Sequence, residues 1–397
     1  MLHIALRMLM GDRTKYAGLL LGIGFTAFLV TFAMSYFSGF MTRGFALVTE
    51  NASADIWVMD PAVRSPELTI NMPDSALARV RSIDGVRYAV PLALGDVDAR
   101  FPNGRFQSFH VIGVDDATLT GVPQPEDDTP VTALRAPDAV IVDPGGTSGK
   151  LGTPVHAQDR WPHGGAHLDV PLRPLRAGDE LLVNDRLVRV AGRSRTVPRF
   201  PPRPLMYTTY SNALRVLPAE TNHVSFVLVS ARHGVASTEL ARRITRRTGL
   251  RARTAAQFKE DTVRWYLVNS EDVGDMTAML MLAITVGFGV TGVMLYMFSY
   301  ENQHQYAVLK AMGTPRRSLM HMVFVQSGLC AVLGTGLGIG TCALVGVVVG
   351  IVDFPFRMMW FAPVFGVIGV LLISLTAAAI SVRPVLKLAP GQVFAGR

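Results

Sequence analysis

Four long runs of uncharged residues constrain this sequence more than any other feature. The runs lie between residues 15 and 43, 275 and 301, 317 and 353, and 357 and 383. An α-helix needs about 20 apolar residues to cross the hydrocarbon layer of a bilayer. In lipid, its backbone groups must also bond within the helix. All four runs are long enough, so the sequence predicts an α-helical membrane protein with four transmembrane helices.

The positive charge of the chain lies beside these runs. The sequence has 38 Lys and Arg against 30 Asp and Glu, a net charge of +8. Residues 43–275 hold 28 basic and 27 acidic residues, which leaves 10 basic and 3 acidic residues elsewhere. Nine of these ten bases lie before the first run, between the second and third, or after the fourth. Because Lys and Arg are enriched in cytoplasmic loops, both termini and the loop 301–318 are predicted to be cytoplasmic. The excess charge therefore orients the helices and indicates no nucleic acid partner.

The segment between the first two runs is predicted to lie outside the cytoplasm as a mixed α/β domain. β-Branched residues between turn residues indicate strands at Val86–Leu94, Phe106–Val114 and Ala139–Asp143. Two apolar runs around Asn184-Asp185 indicate a hairpin at Leu181–Val190. Helical spacing indicates helices at Ser237–Thr248 and Asp74–Ile83.

A long helix is predicted to connect this domain to the second apolar run. Thr254 and Gln257 have the spacing of a capping box, in which each side chain bonds the backbone N–H of the other residue. From there the helix is predicted to run unbroken through Trp265 to Met297 as a rigid stalk. Gly274 is its weakest point, because glycine disfavours helix.

Sequence motifs for catalysis or metal binding are not found. Residues 144–151 resemble a nucleotide-binding loop, but its glycines are too closely spaced and Leu151 stands where magnesium needs a hydroxyl. His156, His163 and His167 share one loop, but their spacing matches no zinc site. We therefore predict no catalytic residue, no metal site and no cofactor on this chain.

The loop Arg195–Pro204 contains four prolines, which remove backbone donors and predict an irregular, extended segment. Such a loop is either a solvated connector or a docking segment for a partner.

The third apolar run carries two overlapping Gly-xxx-Gly motifs, formed by Gly334, Gly336, Gly338 and Gly340. Small residues let helices approach closely in lipid, so these glycines are predicted to pack on a helix of the same chain or of a second subunit.

The loop between the second and third runs has the pattern of a short amphipathic helix. Gly313 suits its C-terminal cap, and Pro315 prevents its continuation. Lys310 near the C-terminus suits the helix dipole. A small apolar face is formed by Ala307, Val308, Ala311 and Met312. A helix of this kind between two membrane helices is predicted to transmit movement from a cytoplasmic partner to those helices.

At Val308–Gly313 (VLKAMG) the sequence resembles the "LLKALG" core of the FtsX/MacB-like family of ABC transporter permeases. Residues 5–9 are similar to the N-terminal A-x-R-x-L element of the family, and residues 383–393 resemble its C-terminal ending. Residues 176–192 resemble its outer-domain hairpin. The order of segments in this chain is also that of the family: one membrane helix, a large outer domain and then three membrane helices. The chain departs from the family just before the core, where Asn302, His304 and Gln305 replace the usual Arg and Glu.

The resemblance implies the permease subunit of an ABC transporter without its own ATPase. The implied partners are two copies of an ABC ATPase, which would hold ATP and magnesium, a second permease chain (identical or different), a periplasmic adaptor and membrane lipids. The expected function is export or membrane extraction of a lipid, lipoprotein, peptide or amphipathic compound, driven by outer-domain movement. One alternative is an FtsX-like signalling protein that activates an extracytoplasmic hydrolase or other partner, and another is a membrane-anchored enzyme. The expected location is the bacterial cytoplasmic (inner) membrane.

The resemblance also assigns roles to residues. Those expected to contact the ATPase are Gln305, Tyr306, Val308, Leu309, Lys310, Ala311, Met312 and Gly313. The predicted segments are a cytoplasmic N-terminal segment (1–16), transmembrane helix 1 (17–42), an extracytoplasmic α/β domain inserted between helices 1 and 2 (43–254), a stalk with helix 2 (255–300), a cytoplasmic coupling loop (301–318), helix 3 (319–350), a short extracytoplasmic loop (351–357), helix 4 (358–382) and a cytoplasmic tail (383–397).

Overall fold

The computed structural model describes residues 13–51, 54–147, 149–160, 165–218 and 224–387. The sequence elements at 5–9 and 389–393, and His163 of the histidine loop, lie outside these residues. The chain divides into two compact units, one of residues 1–40 with 270–397 and one of residues 41–269. We call the first the helical unit and the second the α/β unit.

The elements of both units follow in chain order. The helices are α1 (Arg13–Gly44), α2 (Ala46–Glu50), α3 (Ser75–Arg81), α4 (Tyr210–Val216), α5 (Ser237–Thr248), α6 (Ala255–Asn269), α7 (Glu271–Glu301), α8 (Gln303–Ala311), α9 (Arg316–Ile351) and α10 (Phe361–Lys387). The strands are β1 (Ile56–Met59), β2 (Val86–Arg100), β3 (Phe106–Val114), β4 (Ala139–Asp143), β5 (Gly152–Pro154), β6 (Leu172–Pro174), β7 (Glu180–Val183), β8 (Arg186–Arg193), β9 (Leu205–Thr209), β10 (Phe226–Ala231) and β11 (Arg251–Thr254).

Four of the described helices are long and apolar enough to cross a membrane, as the sequence predicts. The spans lie in α1, α7, α9 and α10, and the mean hydropathy of their most apolar windows is 2.1 to 2.3. The chain is therefore a membrane protein.

Helix α1 is the most enclosed of these four. Half of its most apolar window is buried, against 22–33% for the other three. The Thr26 hydroxyl donates to the carbonyl oxygen of Gly287 at 3.2 Å and lies 3.1 Å from the hydroxyl of Thr291, both in α7. A Cβ added at Gly366 of α10 would lie 2.2 Å from the Thr31 hydroxyl oxygen. Helix α1 therefore packs closely on α7 and α10, and the Thr26 hydroxyl bonds across to α7.

A mixed sheet forms the frame of the α/β unit. Its strands lie in the order β11-β1-β10-β2-β3-β9-β4-β8-β7, and β2 also pairs with β7. With 15 residues, β2 serves both halves: Val90 pairs with Leu228 of β10, and Arg100 pairs with Leu182 of β7. The second pairing closes the strands from β2 to β7 into a barrel, while β10, β1 and β11 extend the sheet as an open half.

The predicted strands are confirmed. β3 and β4 have the predicted bounds, and β2 begins at Val86 but runs on to Arg100. The hairpin joins β7 and β8 through Asn184 and Asp185, whose φ angles of 45° and 61° are those of a two-residue turn that twists with its strands.

Alternating residues of the open half face two apolar cores, as the period of a strand requires. Trp57 of β1, Phe226 of β10 and Phe258 of α6 meet on one face, with ring centroids 5.4 to 5.8 Å apart. On the other face, Val227 and Val229 pack with residues of α3 and α5. A third core, which includes Phe101 and Phe109, fills the barrel.

The predicted capping box is present at the start of α6. The backbone N–H of Thr254 donates to the Gln257 amide oxygen at 3.2 Å, and the N–H of Gln257 donates to the Thr254 hydroxyl at 3.3 Å. This reciprocal pair satisfies two N–H groups that a helix start leaves unbonded.

The prediction of an unbroken helix to Met297 is wrong. Helix α6 ends at Asn269, and Ser270 is extended with φ −94° and ψ 124° before α7 begins. The Asn269 amide donates to the Trp265 carbonyl at 2.9 Å, and the Ser270 hydroxyl lies 3.3 Å from the Asp272 carboxylate. Short polar side chains of this kind compete for backbone and cap groups and favour helix ends. The chain therefore breaks at Ser270, while Gly274 lies within α7.

Candidate functional site

The short helix α8 lies between α7 and α9, where the sequence predicts the coupling helix. The turn that follows α8 donates hydrogen bonds to carbonyl groups at the end of the helix. The N–H of Thr314 donates to the Leu309 carbonyl oxygen at 3.1 Å, and the N–H of Gly313 donates to the Lys310 carbonyl oxygen at 3.1 Å. Gly313 has a φ of +86°, a left-handed conformation that glycine adopts without steric cost. Pro315 then stands immediately before α9. The predicted end of this helix at Gly313 and Pro315 is confirmed.

One face of α8 is buried within the helical unit. Tyr306 and Leu309 belong to a cluster with Leu319, Met322 and Val323 of α9. This burial fixes α8 on the first turns of α9, so these two residues hold the helix in place.

A buried hydrogen bond between two side chains also connects α8 to α9. The Tyr306 hydroxyl donates to the side-chain oxygen of Gln326 of α9 at 2.9 Å. Burial raises the pKa of Tyr306 to about 12, against a smaller opposing effect of that hydrogen bond. The phenol therefore stays protonated near neutral pH and remains a donor.

The opposite face of α8 and the following turn are exposed. Gln305, Ala311, Met312 and Gly313 are exposed, and Val308 and Lys310 are half-buried. The Met312 side chain is 69% exposed. The two arginines that follow, Arg316 and Arg317, are also exposed. The eight residues expected to contact an ATPase therefore divide into an accessible set and the buried pair Tyr306 and Leu309. Partner contact itself stays a prediction.

The four glycines of the third run divide in a similar way. A Cβ added at Gly338 would lie 2.2 Å from the Gly24 carbonyl oxygen of α1, and one at Gly334 would lie 2.8 Å from Ile23. A Cβ at Gly336 or Gly340 would meet nothing within 4 Å. Gly334 and Gly338 thus let α9 approach α1 of the same chain, whereas Gly336 and Gly340 face away from it. Packing of the second pair on another subunit stays a prediction.

The sequence reasoning missed a buried polar cluster in the α/β unit. We call it the Arg199 cluster: Glu50, Arg199 and Tyr207. Arg199 is only 5% exposed, and its guanidinium forms a close ion pair with Glu50 of α2. It also donates to the Tyr207 hydroxyl of β9 at 3.2 Å, and that hydroxyl donates to Glu50 at 3.2 Å. The three side chains thus join α2, the proline-containing loop and the sheet.

Charge states in this cluster follow from burial and its partners. Burial disfavours the charge of Arg199, but Tyr207 and Glu50 outweigh it and raise the pKa of Arg199 above its ordinary value. Burial raises the pKa of Glu50, against the opposing effect of Arg199. The guanidinium is therefore a permanent buried cation that depends on Glu50 for its counter-charge.

The loop Arg195–Pro204 is irregular, as predicted, and two of its three arginines are held by carboxylates. Besides Arg199, Arg203 pairs with Glu67 at 2.5 Å. The role of the loop as a connector or as a docking segment for a partner stays a prediction. The sequence feature that could have indicated these ion pairs is the presence of Arg199 and Arg203 among four prolines. A loop without regular backbone hydrogen bonds must be held in place by its side chains.

In the part of the chain that the structure describes, no group of three or more His, Cys, Asp or Glu side chains is arranged to hold a metal ion. His156 directly precedes a short 3₁₀ turn, and Asp159 ends that turn.

Comparison with known proteins finds a family match in the C-terminal part of the chain. Residues 277–390, which include α8 and α9, match the family model described as FtsX-like permease C-terminal. No curated protein matches the chain.

Two solved structures are similar to part of the chain. The periplasmic region of MacB from Actinobacillus actinomycetemcomitans is 13% identical over 56% of this chain and 96% of that one, with a TM-score of 0.35. The extracellular domain of the noncanonic ABC-type transporter YknZ from Gram-positive bacteria is 14% identical over 51% of this chain and 98% of that one, with a TM-score of 0.32. Both TM-scores are too low to define the fold of the α/β unit.

The family match includes the resemblance found at Val308–Gly313. It begins within α7 and covers α8, α9 and α10. Over residues 277–390, this membrane protein is therefore similar to the C-terminal domain of FtsX-like permeases.

Proposed function

We propose that this chain is the permease subunit of an ABC transporter and that the exposed face of α8 binds a separate ATPase subunit. The observation that carries the proposal is the exposed apolar side chain of Met312, at the end of a helix whose other face is packed on α9. A rigidly held helix with an accessible apolar end suits an interface, because little ordering is needed on binding.

The charge distribution supports the orientation of this proposal. Nine of the ten basic residues outside residues 43–275 lie at the two termini or in the loop that holds α8. By the positive-inside rule these segments face the cytoplasm, where ATP is available, and the α/β unit lies on the other side. The proposed location is the bacterial inner membrane, with both termini cytoplasmic.

The proposed activity is export or membrane extraction of a lipid, lipoprotein, peptide or amphipathic compound. Two ATPase subunits and a second permease chain would complete the transporter, with ATP and magnesium held by the ATPases. Because the helix breaks at Ser270, α6 and α7 do not form one rigid rod that transmits movement to the α/β unit. Movement would reach the α/β unit along α1, which continues to Gly44 without interruption, and through a joint between α6 and α7.

The test replaces Met312 by aspartate in the full chain, which is expressed with ABC ATPase subunits of the same genome and purified with the one that binds the wild-type chain. We expect the affinity for the ATPase to fall about tenfold or more, since one central apolar contact at an interface is worth roughly 1.4–2.8 kcal/mol. The measurement is binding together with the ATP hydrolysis rate of the complex.

The matched control is Leu187→Asp in β8, which places the same charge on an apolar side chain that is 56% exposed. This variant is expected to bind and stimulate the ATPase normally. Leu309→Glu is not a suitable variant, because Leu309 is buried and the change would displace α8 itself. Normal ATPase binding by Met312→Asp, with loss in Leu187→Asp, would place the interface on the α/β unit.

A further inference from the structure

A cleft lined by arginines lies between α5 and the edge strand β11 of the α/β unit. Its volume is about 700 Å³, within the range of small-molecule sites. Four arginines line it, Arg242 and Arg246 from the helix and Arg251 and Arg253 from the strand. The cleft shares no residue with the Arg199 cluster or with α8, and neither the family match nor the proposed function gives it a role. We call it the α5–β11 cleft.

The carboxylates in this region do not balance its arginines. Arg251 and Arg253 share one carboxylate, that of Asp261, and Arg253 lies 2.9 Å from it. Arg242 pairs with Glu239 at 3.0 Å. Among the described residues, no carboxylate lies within ion-pair distance of Arg246. Four arginines against two carboxylates leave a surplus of two positive charges at the cleft.

Only part of the positive charge at the cleft is explained by stabilisation of helix α5. Basic side chains near the C-terminus of α5 complement its dipole, an effect confined to the last turn. Arg246 and Arg247 lie in that turn. Arg251 and Arg253 belong to the strand that follows, so the helix dipole does not explain why they line the same cleft.

The edge of β11 is closed to a peptide strand. Two of its outward N–H groups already have side-chain acceptors: Ala252 donates to the Thr245 hydroxyl at 3.1 Å, and Thr254 donates to the Gln257 amide oxygen at 3.2 Å. A partner that added a strand would have to displace both bonds. The available binding groups are therefore the guanidinium groups and not the backbone.

From this arrangement we infer that the α5–β11 cleft binds a phosphate-bearing anion. Guanidinium groups bind phosphate through paired, charge-assisted hydrogen bonds, which suits several arginines around one concave site. The same chemistry is offered by a free phosphate compound and by the headgroup of an anionic lipid, and the experiment distinguishes them.

The test uses the full chain in nanodiscs of phosphatidylcholine, with inorganic pyrophosphate as the probe and calorimetry as the measurement. The variant Arg242→Gln/Arg246→Gln removes two charges from the cleft while leaving the Asp261 pairs intact. We expect its dissociation constant for pyrophosphate to rise about tenfold or more, because hydrogen bonds between charged groups are lost. Binding is also expected to weaken with salt.

The control is Arg186→Gln/Arg189→Gln in β8, which removes the same charge from two exposed positions of the same unit. It is expected to change the dissociation constant less than about twofold, because only long-range screened attraction is lost. A second arm adds small vesicles with or without phosphatidic acid and measures their capture by the nanodiscs. Capture of the anionic vesicles that depends on Arg242 and Arg246 identifies a membrane-borne headgroup, and pyrophosphate binding alone identifies a free phosphate compound.

Two results would overturn the inference. One is equal weakening by both double variants, which would mean diffuse attraction to the whole surface. The other is failure of the wild-type protein to bind pyrophosphate or anionic vesicles. Met312→Asp is expected to leave this binding unchanged, so the outcome here is independent of the ATPase interface.

Discussion

Replacement of Glu50 by alanine is expected to destabilise the α/β unit by about 3–5 kcal/mol, because it leaves the buried Arg199 cation without a counter-charge. Arg199 is 5% exposed, so water cannot replace the lost carboxylate. The measurement is hydrogen exchange of the peptide that contains β9, on the full chain in detergent. Its protection is expected to fall by about a hundredfold to several thousandfold.

Removal of the whole cluster is the control for this prediction. In the triple variant Glu50→Leu, Arg199→Met and Tyr207→Phe, no polar group of the cluster is left buried without a partner. Replacing a buried ion pair by apolar residues of similar volume is often neutral or stabilising. The triple variant should therefore be more stable than Glu50→Ala alone. Equal losses in both would show that the three side chains act by packing and not by charge.

Replacement of Gly338 by alanine is expected to destabilise the helical unit by about 1–3 kcal/mol or more, because the new methyl group overlaps backbone atoms. That methyl group would lie 2.2 Å from the Gly24 carbonyl oxygen and 2.9 Å from the Phe28 nitrogen. Backbone cannot move aside as a flexible side chain can, so α9 would have to separate from α1. The measurement is thermal unfolding of the full chain in detergent.

Gly336→Ala is the matched control, two residues away in the same helix. Its methyl group meets nothing within 4 Å in this chain. Alanine is favoured over glycine in a helix by about 1 kcal/mol, so this variant should be as stable as the wild type or more stable. A larger loss from Gly336→Ala than from Gly338→Ala would contradict the assignment of Gly338 to the α1 contact.

Local signals in the sequence predicted much of this structure. Gly313 and Pro315 predicted the end of α8, and Thr254 and Gln257 predicted the start of α6. In each case a few neighbouring residues determine the backbone bonds. Uninterrupted apolar runs predicted the four membrane helices for the same reason, since hydrocarbon leaves no alternative to internal backbone bonding.

Features that depend on distant parts of the chain were not predicted. The pairing of Arg100 with Leu182 closes the barrel across more than 80 residues, and no local pattern indicates it. The burial of Arg199 likewise depends on Glu50, which lies 149 residues earlier in the sequence. In α8, the period of the helix indicated an apolar face but not which residues would pack on α9. The result was that Leu309 and Met312 were given the same role although one is buried and the other exposed.

The central claim is that the exposed end of α8 contacts a cytoplasmic ATPase while the α/β unit lies across the membrane. Photocrosslinking in intact cells tests it most directly, with a photoreactive amino acid placed at position 312 in one variant and at position 187 in another. Both native side chains are exposed, so neither replacement disturbs a core. We predict a crosslink to the ATPase from position 312 and none from position 187. A crosslink from position 187, or none from position 312 while the two proteins still purify together, would contradict the account.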